Sequence, residues 1–411
     1  MKRYDIEIMA PVGSYESLAA AIRAGADAVY FGVGKLNMRS ASAANFTLDD
    51  LGRIVASARK AGVKTYLTVN TIVYEDEIAD VHAVIDRAKK EGVDAVIASD
   101  MAAILYARRI GQEVHISTQS NISNSEAVRF YAQWADTVVL ARELSLEQVA
   151  AIRRRIVEDD IRGPRGELVE IEMFAHGALC MSVSGKCYLS LYETNCSANR
   201  GACRQLCRRK YTVTDKETGA QLDIDGRYVL SPKDLCTIDF LDKMIAAGVR
   251  VLKIEGRAKT FYYVASVTSA YRRALDAYLR DPYNDNFELP DDVIEELNRT
   301  SHRHYSPGFY FGKEQAQQTP SHTYVRDWDF IGTVDGWDKG VAHCTQRGKF
   351  NLGDSIEVLQ PDGSVVTLTP EWIKNAEGER VDATPHPMMQ YTIPCATPLM
   401  PYSLLRMRKP E

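Results

Sequence analysis

Long apolar runs are missing from this 411-residue chain. No uninterrupted hydrophobic stretch approaches the roughly 20 residues that cross a bilayer, and Met1 to Met9 holds no apolar core followed by a cleavage site. A cytoplasmic protein without a membrane anchor is expected. Basic excess is missing too: 50 Lys and Arg stand against 55 Asp and Glu, a net charge of -5. The chain as a whole therefore exerts no pull on a polyanion, and nucleic acid would need a local basic patch. No Gly-x-Gly-x-x-Gly follows the first strand-like run, which speaks against a dinucleotide site. Neither Cys-x-x-Cys nor His-Glu-x-x-His occurs, which argues against thioredoxin-like exchange, paired zinc knuckles and the zinc-protease helix.

What the chain has is a recurring junction. "AIRAGADAVYFG" (21–32), "RKAGVKTYLTVN" (59–70), "KKEGVDAVIASD" (89–100) and "MIAAGVRVLKIEG" (244–256) each carry a helix end, a glycine and a β-branched run. Gly25, Gly62, Gly92 and Gly248 fall where a helix C-terminal cap belongs. Between them, "IEIMAPVG" (6–13), "VHISTQS" (114–120), "DTVVLAREL" (136–144), "IEMFAHG" (171–177) and "YVLSPKDL" (228–235) are apolar runs that end in polar residues. Alternating βα units predict a (β/α) TIM-like barrel over 1–298, with chemistry at the strand C-terminal ends; a doubly wound open sheet is the alternative. Residues 299–322 read as a linker. Residues 323–411, with strand-like alternation and turns expected at Asp335-Gly336 and Asp362-Gly363, predict a small antiparallel β-barrel domain.

Five of the eight cysteines crowd into "CMSVSGKCYLSLYETNCSANRGACRQLC" (180–207), in an insert spanning about 178–227. In a reducing compartment such clustering points to a metal before disulfides. The irregular spacing, six residues from Cys180 to Cys187 and three from Cys203 to Cys207, suits an iron-sulfur cluster better than zinc, although thiolate softness permits either. Cys344 and Cys395 stand alone and read as small buried hydrophobes.

"EMFAHGALCMSVSGKCYLS" (172–190), "NRGACRQLCR" (199–208), "SPKDLC" (231–236) and "LKIEGRAKTFYYV" (252–264) together resemble the collagenase-like peptidase family, over essentially the whole chain. The tRNA-hydroxylating branch is the part of the family it most resembles. That resemblance implies a 4Fe-4S cluster on Cys180, Cys187, Cys203 and Cys207, with Cys236 as the alternative fourth ligand. It also implies prephenate as co-substrate, 5-hydroxyuridine formation at the wobble position without oxygen, the tRNA anticodon stem-loop as partner, and an electron donor of unknown identity. Hydroxylation of rRNA or of a quinone precursor, and proteolysis, are the alternatives it leaves open. A cysteine peptidase needs a base beside its thiol, and His176 lies four residues from Cys180.

Lys253, Glu255 and Arg257 alternate along one strand and so share a face. Three charges inside a barrel must meet a ligand or one another, and cations there would grip a dianion such as prephenate. With Glu172 and His176 they form the expected catalytic set. Asn70, Gln119, Arg142 and Lys233 stand at strand ends as substrate-binding candidates, and the resemblance adds Arg39. Arg208 and Arg209, in the basic run with Arg204 and Lys210, are candidates for RNA phosphates. Tyr262, Tyr263, Tyr305, Phe309 and Tyr310 could stack on bases, against the reading that they are core.

Overall fold

A computed structural model of the chain describes residues 5–41, 46–222, 230–282, 284, 287–312 and 325–409. Eight parallel strands run through its first part: β1 (Glu7–Pro11), β2 (Ala28–Gly32), β3 (Lys64–Val69), β4 (Ala95–Ala98), β5 (Glu113–Ile116), β6 (Thr137–Val139), β7 (Glu170–Ala178) and β8 (Val249–Ile254). Each pairs with the next, and β8 pairs with both β7 and β1. That last pairing closes the ring and decides for the barrel over the open sheet. Strands β1 and β2 are buried along their whole length, as parallel strands covered on both faces must be.

Helices α1 (Tyr15–Arg23), α2 (Leu51–Lys60), α3 (Ile78–Glu91), α4 (Met101–Arg109), α5 (Ser125–Tyr131) and α6 (Leu146–Glu158) follow β1 to β6 in turn. In α3, Val81, Val84, Ile85 and Ala88 form the buried stripe that an amphipathic helix lays on a sheet. The junction glycines behave as their spacing predicts: Gly25, Gly62, Gly92 and Gly248 have φ of 84°, 71°, 79° and 100°, the left-handed region where a side chain is costly. Inside the ring, Met9, Tyr30, Tyr66, Ile97 and Val251 form a separate inner core.

Between β7 and β8 the chain makes its long insert, with α7 (Leu189–Thr194), a short strand Asp234–Cys236 antiparallel to the end of β7, and α8 (Leu241–Ala246). Residues 223–227 of the expected insert lie outside the described residues. After β8 come α9 (Phe261–Arg280) and α10 (Asp291–Asn298).

The C-terminal domain is an antiparallel sheet of β9 (Trp328–Asp338), β10 (Val341–Gln346), β11 (Ile356–Leu359), β12 (Val365–Leu368), β13 (Ile373–Asn375), β14 (Arg380–Val381), β15 (Gln390–Pro394) and β16 (Leu404–Arg408). Its order is β12-β11-β16-β9-β10-β15-β13-β14, and among the described residues no pairing joins β12 to β14. Asp362-Gly363 makes the turn expected of it, with Gln360 and Ser364 joined at 2.8 Å. Asp335-Gly336 does not: the register shifts between Val334 and Gly336 inside β9, so the pair is a bulge, and Lys339 and Gly340, with φ of 47° and 85°, make the hairpin.

A fully buried Arg406 joins the two domains, 2.7 Å from Glu296 of α10 and 2.9 Å from Glu357 of β11. Phe330 stacks on Tyr262 of α9 at 5.2 Å. Residues 299–312 of the expected linker are described and pack on the barrel domain. Arg303 is buried and ion-paired to Asp234 at 3.1 Å, and Tyr305–Ser306 adds a strand beside Asp234–Cys236. Residues 313–324 lie outside the described residues. No helix among the described residues is long and apolar enough to cross a membrane.

Candidate functional site at the barrel mouth

Strands β7 and β8 are neighbours, so Glu172 and Lys253 project side by side into the ring, 2.6 Å apart and both buried. Behind them His115 of β5 lies 3.7 Å from Glu172 and 3.5 Å from Glu113, which Arg165 meets at 3.3 Å. Burial alone would depress the imidazole pKa, but the two carboxylates hold it up at about 9. Charges this deep persist because each faces an opposite one.

Glu255 and Arg257 follow directly on β8. Arg39, from the loop after β2, meets the Glu255 carboxylate at 3.2 Å. Burial would raise the Glu255 pKa, yet Arg39, Arg142 and Arg257 keep it below the ordinary carboxylate value. Arg257 donates to Asn37 Oδ1 at 3.1 Å and Thr68 Oγ1 at 2.9 Å; burial lowers its pKa to about 10, so it remains a cation at neutral pH. Tyr30 is the common wall, with Lys253 Nζ 4.7 Å and Arg257 Cζ 5.7 Å from its ring centroid and its hydroxyl donating to Ile254 O. Arg142 lies over the Phe174 ring at 3.6 Å and donates to Ala178 O. Four cations thus converge with two carboxylates. Arg39 and Lys253 have acidic partners, whereas Arg142 and Arg257 make these hydrogen bonds to neutral groups. Asn70 donates to Ser117 Oγ and Gln119 Oε1, each at 3.2 Å, and accepts from Met38 N, which ties the loops after β2, β3 and β5 into the same rim.

The cysteine insert is fastened over this rim. Ser184 donates from its hydroxyl to Asn121 at 2.7 Å and from its backbone N–H to Glu143 at 3.0 Å. On the other side Ala41 N reaches Gly201 O at 3.2 Å. A Cβ on Gly201 would stand 2.3 Å from Asn37 O, so only glycine permits this approach. Burial raises the Cys207 pKa, and the nearby Cys180, Cys203 and Cys187 raise it further against Arg208; the four thiols are electrostatic neighbours. Backbone N–H groups of Leu189 and Gln205 point at the sulfurs of Cys187 and Cys203, each at 3.4 Å, as they do at sulfur ligands of iron-sulfur clusters. Among the described residues no three His, Cys, Asp or Glu side chains meet closely enough to hold a single ion. Four cysteine thiols are the donor chemistry that an iron-sulfur cluster takes, and Cys180, Cys187, Cys203 and Cys207 are the residues here that would supply it. Cys236 is elsewhere: it is buried opposite His176 on the short strand, with its pKa pushed up to about 12 by burial.

Several candidates are not where alternation places them. A register shift between Lys253 and Ile254 leaves Ala175 unmatched, and this bulge turns His176 out of the ring. It sits among Tyr263, Tyr271 and Tyr305 with its pKa lowered by burial to about 3, which removes it as an acid-base group. Arg208 donates to Leu179 O at 2.8 Å, Ser231 Oγ at 3.0 Å and Pro232 O, so it fastens the insert and is not presented to phosphate. Arg209 is exposed. Lys233 is half-buried beside the Asp234–Cys236 strand, and the neighbouring Asp234 faces Arg303. Tyr262, Tyr263 and Tyr310 are core, and Tyr305 and Phe309 are half-buried. Sequence reasoning missed Tyr30, Asn37, Thr68 and His115. For Tyr30 a signal existed, since it alternates with Ala28 and Gly32 on β2; for Asn37 there was none.

The family model described as Peptidase family U32 matches residues 13–320, and that of the Peptidase family U32 C-terminal domain matches 326–406. A Porphyromonas gingivalis protein named "Collagenase" is 52% identical over 377 residues, 90% of this chain and 90% of that one. The Bacillus subtilis "tRNA hydroxylation protein P1" is 34% identical over 414 residues, 98% of this chain and 95% of its own. An Escherichia coli 23S rRNA 5-hydroxycytidine synthase is 38% identical over 277 residues, 67% of this chain and 40% of its own. With both domains of the chain matched in order, and with the barrel and antiparallel sheet just described, this protein belongs to peptidase family U32.

Proposed function

We propose that this protein is an RNA hydroxylase that converts a tRNA wobble uridine to 5-hydroxyuridine without molecular oxygen, with prephenate as co-substrate. One observation carries the reading: a barrel mouth with two arginines hydrogen-bonded to neutral groups lies directly under an insert holding four neighbouring thiols. Arg142 and Arg257 would bind the two carboxylates of the co-substrate by charge-assisted hydrogen bonds. Glu255 would hold Arg39 at the rim, and the Glu172–Lys253 pair would present an ammonium to the floor of the site. Asn70 and Gln119 would orient the loops that receive the base. A 4Fe-4S cluster on Cys180, Cys187, Cys203 and Cys207 would supply redox or oxygen-transfer chemistry. Relatives named for tRNA hydroxylation and for 5-hydroxycytidine synthesis in rRNA support RNA as the substrate class.

The relative named "Collagenase" favours a second reading, proteolysis. Against it stands the chemistry of His176, the base nearest Cys180 in sequence. It is turned out of the barrel, enclosed by tyrosines, and neutral at any pH above about 3.

Nucleoside mass spectrometry of tRNA and rRNA from anaerobically grown cells, with and without the gene, tests the proposal. Loss of 5-hydroxyuridine, restored by wild type and not by Cys203→Ala, is expected. An unchanged nucleoside profile would overturn RNA hydroxylation, and collagen cleavage by the purified protein would establish the second reading.

A further inference from the structure

The tyrosines expected to stack on bases are largely built into the barrel wall, yet two others are almost wholly in solvent. Tyr188, at the N-terminal end of α7, and Tyr192 are 73% and 86% exposed. Tyr192 N donates to Tyr188 O at 2.8 Å, so the rings stand one helical turn apart on the same side of the helix. Met181 and Val183, at 42% and 60%, extend the surface along the insert. Helix α7 packs on segments 198–200 and 206–208. Arg200 leads on to the loop after β3, donating to Ile72 O at 2.6 Å and lying 4.6 Å over the Tyr74 ring, and Ile72 and Tyr74 are themselves exposed. Soluble domains seldom leave so many large apolar and aromatic side chains exposed on neighbouring segments without a partner.

Charge identifies the partner. Arg204 N donates to Ser190 Oγ of α7 at 3.0 Å, and its guanidinium lies 3.6 Å from Cys196 Sγ just past the end of the helix, which sets an exposed cation at the C-terminal end of α7, and Arg209 and Lys210 follow on the surface. Against these cations α7 offers one acid, Glu193; the other acids, Glu75, Asp76 and the Glu77 that pairs with Arg200, lie on the Tyr74 loop. Flat rings free on one face and flanked by arginines make the platform on which unpaired bases stack, with the cations on the backbone. A protein partner would be met by the same apolar area but would have less use for the exposed Arg204 and Arg209. We propose that Tyr188 and Tyr192, flanked by Arg204 and Arg209, form the docking surface for the single-stranded loop of the RNA substrate and hold it beside the barrel mouth. This rests on the RNA reading above and adds to it the surface of contact.

The test uses the full chain and a fluorescein-labelled stem-loop RNA with a uridine-bearing loop, compared with a fully paired duplex by fluorescence anisotropy over a salt series. Wild type binds the stem-loop in preference to the duplex. Tyr188→Ala with Tyr192→Ala weakens stem-loop binding by about 10-fold or more without changing the salt slope, since stacking releases no counterions. Tyr188→Phe with Tyr192→Phe keeps the affinity, and Arg204→Gln lowers the slope by about one. Both tyrosines are exposed, so the alanine variant is expected to keep the wild-type melting temperature. If wild type binds the stem-loop and the alanine variant binds it equally well, the platform is overturned, the tyrosines pass to a protein partner, and RNA as substrate stands. If wild type does not distinguish stem-loop from duplex, the RNA reading falls and takes the platform with it.

Discussion

Lys253 Nζ lies 2.6 Å from Glu172 Oε1 inside a closed ring of strands, with both side chains buried. A buried pair of this kind contributes little net stability over an apolar pair, but removing one member strands the other. Lys253→Met is therefore expected to destabilise the fold by about 3 kcal/mol or more. Adding Glu172→Gln should recover only part of that loss, because it removes the uncompensated carboxylate but also takes one of its two acids from His115. Urea midpoints of the two single variants and the double variant measure the coupling. Equal and additive losses would mean that the pair is not a unit.

His115 couples the same network to pH. Its neighbours are Glu113 on its own strand, Glu172 on β7, the Tyr66 ring 4.5 Å away on β3 and, more distantly, Glu7 on β1. The folded-state pKa of about 9 exceeds the unfolded value of about 6.5, so folding takes up a proton. The contribution is complete below pH 6.5 and is lost as pH rises through 9. Melting temperatures from pH 6 to 9.5 should fall for wild type by an amount equivalent to a few kcal/mol at most, and His115→Gln should flatten that fall. A variant with the same slope as wild type would place the titration elsewhere.

Metal content separates the two candidates for a fourth thiol. Cys207 shares its electrostatic surroundings with Cys180, Cys187 and Cys203, whereas Cys236 is held in its strand near Tyr271 with a thiol that keeps its proton to about pH 12. After anaerobic reconstitution, Cys207→Ser is expected to lose most of its iron and its visible sulfur-to-iron absorption, while Cys236→Ser keeps both. The reverse pattern would move the fourth ligand into the barrel wall.

The regular parts of this fold could be read because they repeat. A glycine at each of four α-to-β junctions, and polar residues where apolar runs stop, specify βα units locally, and each of those glycines is left-handed in the structure. Lys253, Glu255 and Arg257 were visible for the same reason, as a period of two. Alternation failed at His176, where one unmatched residue, Ala175, reverses the face and nothing in the composition announces it. It also said nothing of Arg406, whose burial depends on Glu296 and Glu357 arriving from two different domains. From its neighbours in sequence Arg208 belongs to a basic run that would meet RNA phosphates. Its actual partners, Leu179, Ser231 and Pro232, come from the far sides of the insert.

If Arg142 and Arg257 receive the two carboxylates of a dianion, their effects should differ in kind from those of the paired cations. Arg257 spans Asn37 and Thr68 with one guanidinium nitrogen, and its Nε is buried without a hydrogen-bond partner, a donor that a bound carboxylate could satisfy. Lysine keeps the charge and cannot reproduce that geometry. Arg257→Lys and Arg142→Ala are each expected to weaken prephenate binding by about 10-fold or more, the size of a lost charge-assisted hydrogen bond. Glu255→Gln should act oppositely, because it releases Arg39 to the ligand: binding tightens while the rim loses its anchor. Calorimetric titration of prephenate against a monocarboxylate analogue checks the assignment. Two carboxylate sites predict that each arginine variant loses discrimination between dianion and monoanion. Equal weakening of both ligands would instead mean that the arginines support the wall around Tyr30 and that the dianion, if bound, lies elsewhere.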